Sequence, residues 1–181
     1  MMNSYISYIS LIRLSEEHVI AFKEEMQEAF QHGFMAYYKE DNQWQVLPDK
    51  DFYQSLEAEG AEAYEAISED GQRVGGAIIT TNGTLGELAF LYVKVGVQSK
   101  GIGQSIWKSI EAMHPEIEVW ETCTPYFDRR NIHFYINRCG FHAVEFFNEH
   151  HPDPNMPEQF DQEDGLFKFE KRCNSHNCAQ V

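Results

Sequence analysis

From Tyr5 to Leu14 apolar and polar positions alternate, and this period of two predicts a first β-strand. Ser15 followed by Glu16 and Glu17 marks a helix start, and Val19, Phe22, Met26 and Phe30 recur behind it at helical spacing. That helix is expected to end near Gly33. Phe34 to Val46 is rich in aromatics but aperiodic, and Pro48 to Glu59 reads as a second helix with Phe52 and Leu56 inward. Two strands follow, Ala63–Ser68 and Arg73–Thr81, joined by Glu69-Asp70-Gly71-Gln72, whose Asp-Gly pair suits a tight hairpin turn. Glu87 to Val95 is apolar on both faces, as in a central strand covered on both sides.

A glycine-containing loop then opens a helix from Gly101 to Met113, with Ile102, Ile106, Trp107, Ile110 and Met113 inward and Pro115 just beyond its end. Glu116–Thr122 is the next strand. Asp128 caps a helix running to about Arg138, with Gly140 as its C-terminal glycine. Ala143–Asn148 reads as a strand, His150–Gly165 as a proline- and acid-rich excursion, and Leu166–Lys171 as a last edge strand. With no repeat and no break in composition, residues 1–172 make one mixed α/β domain, and residues 173–181 a polar, frayed tail.

Composition narrows the class. The 181 residues suffice for one core, and 43% hydrophobic with 24% charged residues is the balance of a globular protein. No apolar run approaches the roughly 18 residues that span a bilayer. The N-terminal stretch also lacks the basic start and apolar centre of a signal peptide, so no membrane and a cytoplasmic place are expected. A net charge of −15 argues against nucleic acid, whose phosphates need a basic face, and mildly favours cationic small molecules. The four cysteines are expected reduced. Cys173, His176 and Cys178 lie close together but lack a second ligand pair, so no metal is expected.

The chemistry concentrates where the central strand runs through Gly96-Val97-Gln98-Ser99-Lys100-Gly101-Ile102-Gly103 into a helix. Close-set glycines at a helix N-terminus let backbone N–H groups converge on an anion, and the helix adds partial positive charge. The dinucleotide fingerprint places its glycines differently. A Walker A loop would need Lys and Ser/Thr where Ile102 and Gly103 stand. A Gln/Arg-x-x-Gly-x-Gly/Ala loop is matched by Gln98-x-x-Gly101-x-Gly103, and the bland alternative is a glycine-rich turn.

That loop, with its preceding strand and following helix, resembles the pyrophosphate loop of the GCN5-related N-acetyltransferases, the GNAT superfamily. A second segment, Asn131-Ile132-His133-Phe134-Tyr135-Ile136-Asn137-Arg138-Cys139-Gly140-Phe141, resembles the family's late helix, with Asn131 and Tyr135 on one face at i and i+4. Val95-Gly96 stands where many members carry a proline or an acidic residue.

The resemblance implies a GNAT fold, a central mixed and largely antiparallel sheet of about six to seven strands flanked by about four helices. It further implies acetyl-CoA as acetyl-donating co-substrate. The cofactor contacts would come from Leu91, Tyr92 and Val93, from Gln98, Ser99, Lys100, Gly101, Ile102, Gly103, Gln104 and Ser105, and from Asn131, Phe134 and Tyr135. Tyr135 would be the acid toward the leaving thiolate. Glu87, eleven positions before Gln98, would be the base that takes a proton from a primary amine. Glu121, His133 and His142 are weaker alternatives.

The expected acceptor is an amine of a small molecule or peptide, with Phe34–Trp44 and Trp120–Phe127 as candidate walls. An exposed last strand would support a homodimer. The competing readings are a catalytically silent acyl-CoA-binding module on the same fold and a nucleotide-binding switch.

Overall fold

The computed structural model describes residues 8–37, 45–97, 101–154 and 165–173. Gln98 to Lys100, the excursion at 155–164 and the tail at 174–181 lie outside these residues, and so do the readings placed on them. Strand β1 (Ile9–Arg13) leads through a 3-10 turn (Glu16–His18) into helix α1 (Val19–Tyr37), and helix α2 (Asp49–Leu56) follows. Strands β2 (Ala61–Ser68), β3 (Arg73–Asn82) and β4 (Leu85–Val93) form an antiparallel meander with β1. Helix α3 (Ile102–Met113) crosses to strand β5 (Val119–Pro125), and helix α4 (Arg129–His133) continues into a π-helical turn (Phe134–Cys139). Strands β6 (His142–Phe147) and β7 (Leu166–Arg172) complete seven strands in the order β1-β2-β3-β4-β5-β7-β6. Among the described residues no helix is long and apolar enough to cross a membrane.

This is the mixed, largely antiparallel sheet expected, with four helices on its faces. Each face buries its own core. On one, Ile106, Trp107 and Ile110 of α3 pack on Leu88, Trp120 and Phe169; on the other, Phe22 and Met26 of α1 and Phe52 of α2 cover Ile78 and Tyr92. Full burial of such side chains stabilises by about 2 kcal/mol each, so α3 is held by its apolar stripe rather than by its caps. Met113, read as inward, is 45% exposed because it falls in the last turn, past the core.

Three expectations change. The first helix does not end near Gly33 but runs to Tyr37, because Gly33 does not take the left-handed conformation that would terminate it. Ser15 makes no side-chain capping bond, and the 3-10 turn serves as the helix start. The last strand is not an edge: β7 inserts between β5 and β6, pairing antiparallel with both. Leu166 and Phe169 of β7 are buried, whereas β6 exposes His142 to Phe146, so the inner position goes to the strand whose side chains are the more buried. The free edge therefore belongs to β6, and the expected argument for a dimer through the last strand lapses.

One polar network fixes the end of β4. Glu25 on α1 accepts hydrogen bonds from Arg73 Nε at 2.8 Å, Tyr92 Oη at 3.1 Å and Lys94 Nζ at 3.0 Å. Arg73 also bonds buried Glu65 at 2.5 Å. Desolvation works to raise the Glu25 carboxyl, but the bonds from Arg73 and Lys94 outweigh it and hold its pKa below the ordinary value. Helix α1, β3 and the start of the loop after β4 are thus locked together.

Candidate active site

The site begins as a defect in the sheet. Strands β4 and β5 run parallel, yet they pair only from Leu85↔Val119 to Glu87↔Glu121. Gly86 opposite Trp120 is the pivot, where an added Cβ would sit 2.5 Å from the Trp120 ring. Beyond it the strands part, and the Thr122 hydroxyl donates to the Leu88 carbonyl at 2.8 Å. On its other side β4 stays paired with β3 through Val93↔Gly75, so between Ala89 and Val93 its backbone faces the gap with no strand partner among the described residues. Such an unpaired edge is ready to accept an extended, amide-containing chain.

The gap opens into a cleft of about 1320 Å³ lined by Glu87, Leu91, Tyr92, Val93, Gly101, Ile102, Gly103, Gln104, Asn131, Phe134 and Tyr135. These are the residues the sequence assigned to donor binding and catalysis, apart from Ser105, which is not on the lining, and Gln98, Ser99 and Lys100, which lie outside the described residues. Ser105 instead bonds back to the Gly101 carbonyl through Oγ at 3.2 Å.

The two glycines of α3 serve different ends. Gly101 is the N-cap at φ 75°, a left-handed conformation that glycine adopts freely. Gly103 has ordinary dihedrals, but a Cβ there would lie 3.2 Å from Phe134 Cζ and 3.4 Å from Val93 Cγ2. Gly101 therefore starts the helix, and Gly103 lets the π-helical turn close against it. Gln104 completes that contact by donating to the Arg138 carbonyl at 2.8 Å. The first N–H groups of α3 have no acceptor within the helix, so its N-terminus offers an anion site on the cleft wall.

Asp128 organises the other wall. Its carboxylate caps α4 by accepting from the Asn131 backbone N–H at 2.9 Å and takes the Asn131 Nδ2 bond at 2.7 Å. That leaves the Asn131 side-chain carbonyl as the group offered to a ligand. Desolvation raises the Asp128 pKa. Four residues on, Tyr135 is only 6% exposed, and its ring lies against Phe134, Phe141 and Phe169 at 5.4–5.9 Å between centroids. Burial pushes the phenol pKa above its ordinary value of 10.0, with Thr122 beside it acting in the opposite sense. The turn that carries Tyr135 is π-helical, and the Phe141 N–H reaches the Tyr135 carbonyl at 2.9 Å.

Glu87 lines the opposite side and accepts from Thr80 Oγ1 at 3.4 Å. Glu121 does not line the cleft, its carboxylate being held by Lys168 at 2.9 Å. His142 sits exposed on β6 away from the cleft, whereas His133 lines it. Of the expected acceptor walls, Phe34, Cys123, Thr124 and Phe127 reach the lining, while Trp120 is buried in the core. Sequence reasoning missed Arg129, Arg130 and Arg138, a cationic arm on the cleft, and Asp51, Gln54 and Ser55 of α2. Charged residues on a short helix read as a solvated face, and only the fold shows what they face.

A cleft between splayed parallel strands, with a helix N-terminus on one wall, defines the class. Residues 20–141 match the Acetyltransferase (GNAT) family, and the chain belongs to it. It is 43% identical over 143 residues, 78% of its length and 77% of the relative's, to "Uncharacterized protein YrkN" of Bacillus subtilis (strain 168). The fold resembles that of a Bacillus subtilis acetyltransferase solved with CoA, at TM-score 0.62 and 18% identity, covering 93% of this chain and 99% of the other. It also resembles the PaiA N-acetyltransferase of Thermoplasma acidophilum solved with coenzyme A, at TM-score 0.64 and 15% identity over 92% and 99% of the two chains. The Escherichia coli ribosomal-protein-S18-alanine N-acetyltransferase gives TM-score 0.66 at 11% identity over 94% and 98%.

Proposed function

We propose that the protein is an acetyl-CoA-dependent N-acetyltransferase that moves the acetyl group to a primary amine by direct attack in a ternary complex. The observation that carries this reading is the convergence, in one cleft, of the unpaired β4 edge, the α3 N-terminus, Asn131 and Tyr135. Family membership supports it, as do related structures holding CoA or acetyl-CoA. The chemistry of the walls fits the donor. In a chain of net charge −15, the cations Arg129, Arg130 and Arg138 line the same cleft as the α3 N-terminus, and together they could neutralise a pyrophosphate and a third phosphate. The Leu91–Val93 backbone would pair with the amides of the pantetheine arm.

The amine nitrogen then attacks the thioester carbonyl, the carbon–sulfur bond breaks, and coenzyme A leaves as a thiolate. Glu87 takes the proton lost by the amine, directly or through water. Tyr135 meets the thiolate as a hydrogen-bond donor. A thiol ionises near pKa 8.5, well below this buried phenol, so the phenol stabilises the departing charge without surrendering its proton outright. Most of the rate gain comes from orientation of the two reactants.

Calorimetry with acetyl-CoA and thiol release across an amine panel test the reading. Saturable acetyl-CoA binding, thermal stabilisation by acetyl-CoA but not ATP, and amine-dependent thiol release are expected. Binding without release for any amine would favour a silent acyl-CoA-binding module, and stabilisation by ATP alone would reject the reading.

A further inference from the structure

Gly33 stands in the interior of α1, where nothing in the backbone asks for glycine. Its φ is not positive, and among the described residues no atom lies within 4 Å of where its Cβ would be. A glycine inside a helix is less stable than alanine, so a position without crowding or unusual dihedrals wants another reason. That reason is the cleft. Gly33 lines it, with Ala29 one turn before and Ala36 one turn after. Earlier on the same helix Phe22 and Met26 fill the core completely; where α1 borders the cleft, the small residues Ala29, Gly33 and Ala36 alternate with the rings of Phe30 and Phe34, and Gly33 leaves a gap between them.

The charges divide the same cleft. The lining arginines, Arg129, Arg130 and Arg138, all come from α4 and its π-helical turn, where the capping carboxylate of Asp128 also lines the cleft. From α1, α2, β3 and β4 the described lining carries two carboxylates, Asp51 and Glu87, and no cation. Between them stand aromatic rings, with Phe34 and Phe127 edge to face at 5.4 Å.

We propose that the acceptor is a primary amine carried on a bulky apolar body without a carboxylate, and that Gly33 sets the size of body the cleft admits. The inference rests on the acetyltransferase reading and names the substrate class of that site. If the phosphates of the donor lie against the α4 cations, the acceptor arrives from the other half. There the two carboxylates attract an ammonium and repel a carboxylate, the ring faces favour a cation, and the space beside Gly33 holds the body.

The test uses the full chain, acetyl-CoA and three probe amines: 2-phenylethylamine, phenylalanine, which adds one carboxylate, and ethylamine, which lacks the ring. The expected kcat/KM for 2-phenylethylamine exceeds that for phenylalanine by at least about 100-fold. Gly33→Leu should lower 2-phenylethylamine turnover by about 10-fold or more, leaving ethylamine turnover and acetyl-CoA affinity within about 2-fold. Gly33→Ala serves as the folded control. It should raise Tm by about 2 °C, and its loss of 2-phenylethylamine turnover should be smaller than that of Gly33→Leu.

Equal turnover of phenylalanine and 2-phenylethylamine overturns the proposal. So does a Gly33→Leu loss shared equally by ethylamine, or acetyl-CoA binding with none of the three amines accepted. Failure to bind acetyl-CoA at all rejects the acetyltransferase reading beneath it, a separate result read by calorimetry alone.

Discussion

Tyr135→Phe removes one hydroxyl from a ring that three aromatic neighbours already hold, so it separates chemistry from packing. If the phenol donates to the departing thiolate, kcat should fall by about 10- to 100-fold, the value of a hydrogen bond to a charged group. KM for acetyl-CoA and Tm should stay close to the parent. A loss seen in KM alone would make Tyr135 part of donor binding only. Glu87→Gln asks the complementary question at the acceptor. Its loss should shrink as pH rises toward about 10, where a primary amine deprotonates without help. A deficit constant from pH 7 to pH 10 would instead assign Glu87 to binding. Asp128→Ala acts a step away from the chemistry: it uncaps α4 and frees Asn131, at about 1 kcal/mol of stability and with a raised KM for acetyl-CoA, read by urea titration and initial rates.

At the scale of elements, the splay of β4 from β5 turns on one glycine. Gly86→Ala would drive a methyl to 2.5 Å from the fully buried Trp120 ring, so one strand must shift. Overpacking of this kind costs about 1–3 kcal/mol, and because the pivot sets the width of the gap, acetyl-CoA affinity should fall with stability. Equal acetyl-CoA affinity in a destabilised variant would separate the pivot from the site.

That glycine was not legible in the sequence, although much around it was. Leu91 to Val93, Gly101 to Gln104, Asn131 and Tyr135 were named through the resemblance to a family whose strand, glycine pair and helices keep a fixed local order, and they line one cleft. The errors came where meaning depends on partners distant along the chain. Gly33 was read as a helix end because a glycine that opens space looks the same in sequence as one that stops a helix. Leu166–Lys171 was read as an edge because sheet order is set by non-local pairing. Asp51, Arg129 and Arg130 carry no local pattern that singles them out, and only the fold places them on the cleft.

The whole molecule carries its strain at high pH. Burial, as the leading cause, raises the pKa of Tyr64 to about 12, and raises those of Tyr92 and Tyr135 above their ordinary value of 10.0. The Cys139 thiol is pushed from 9.0 to about 12 for the same reason. A group whose folded pKa exceeds its unfolded one contributes stability that is complete below the unfolded value and is lost as pH rises through the folded one. The loss should therefore begin near pH 9 with Cys139 and Cys123, steepen past 10 as the tyrosines join, and continue toward 12.

The acid side behaves differently. Glu25 has a lowered pKa, so its contribution is present above about 4.5 and fades as pH falls below that. Between these limits the molecule should hold a plateau. Urea midpoints from pH 5.5 to 11 would show it, with a fall above pH 9 of about 1.4 kcal/mol per pH unit for each buried group titrating. Cys139 is 4% exposed and makes a clean probe. Burial also pushes the Cys123 thiol up to about 12, so Cys139→Ala should shrink the first limb, leaving the part that Cys123 contributes, whatever it does to stability at neutral pH. An unchanged slope between pH 9 and 10 in that variant would move the origin of the alkaline loss away from this thiol and onto the mutual repulsion of a chain of net charge −15. Salt distinguishes that cause further, since screening weakens repulsion between exposed charges and leaves a buried thiol nearly untouched.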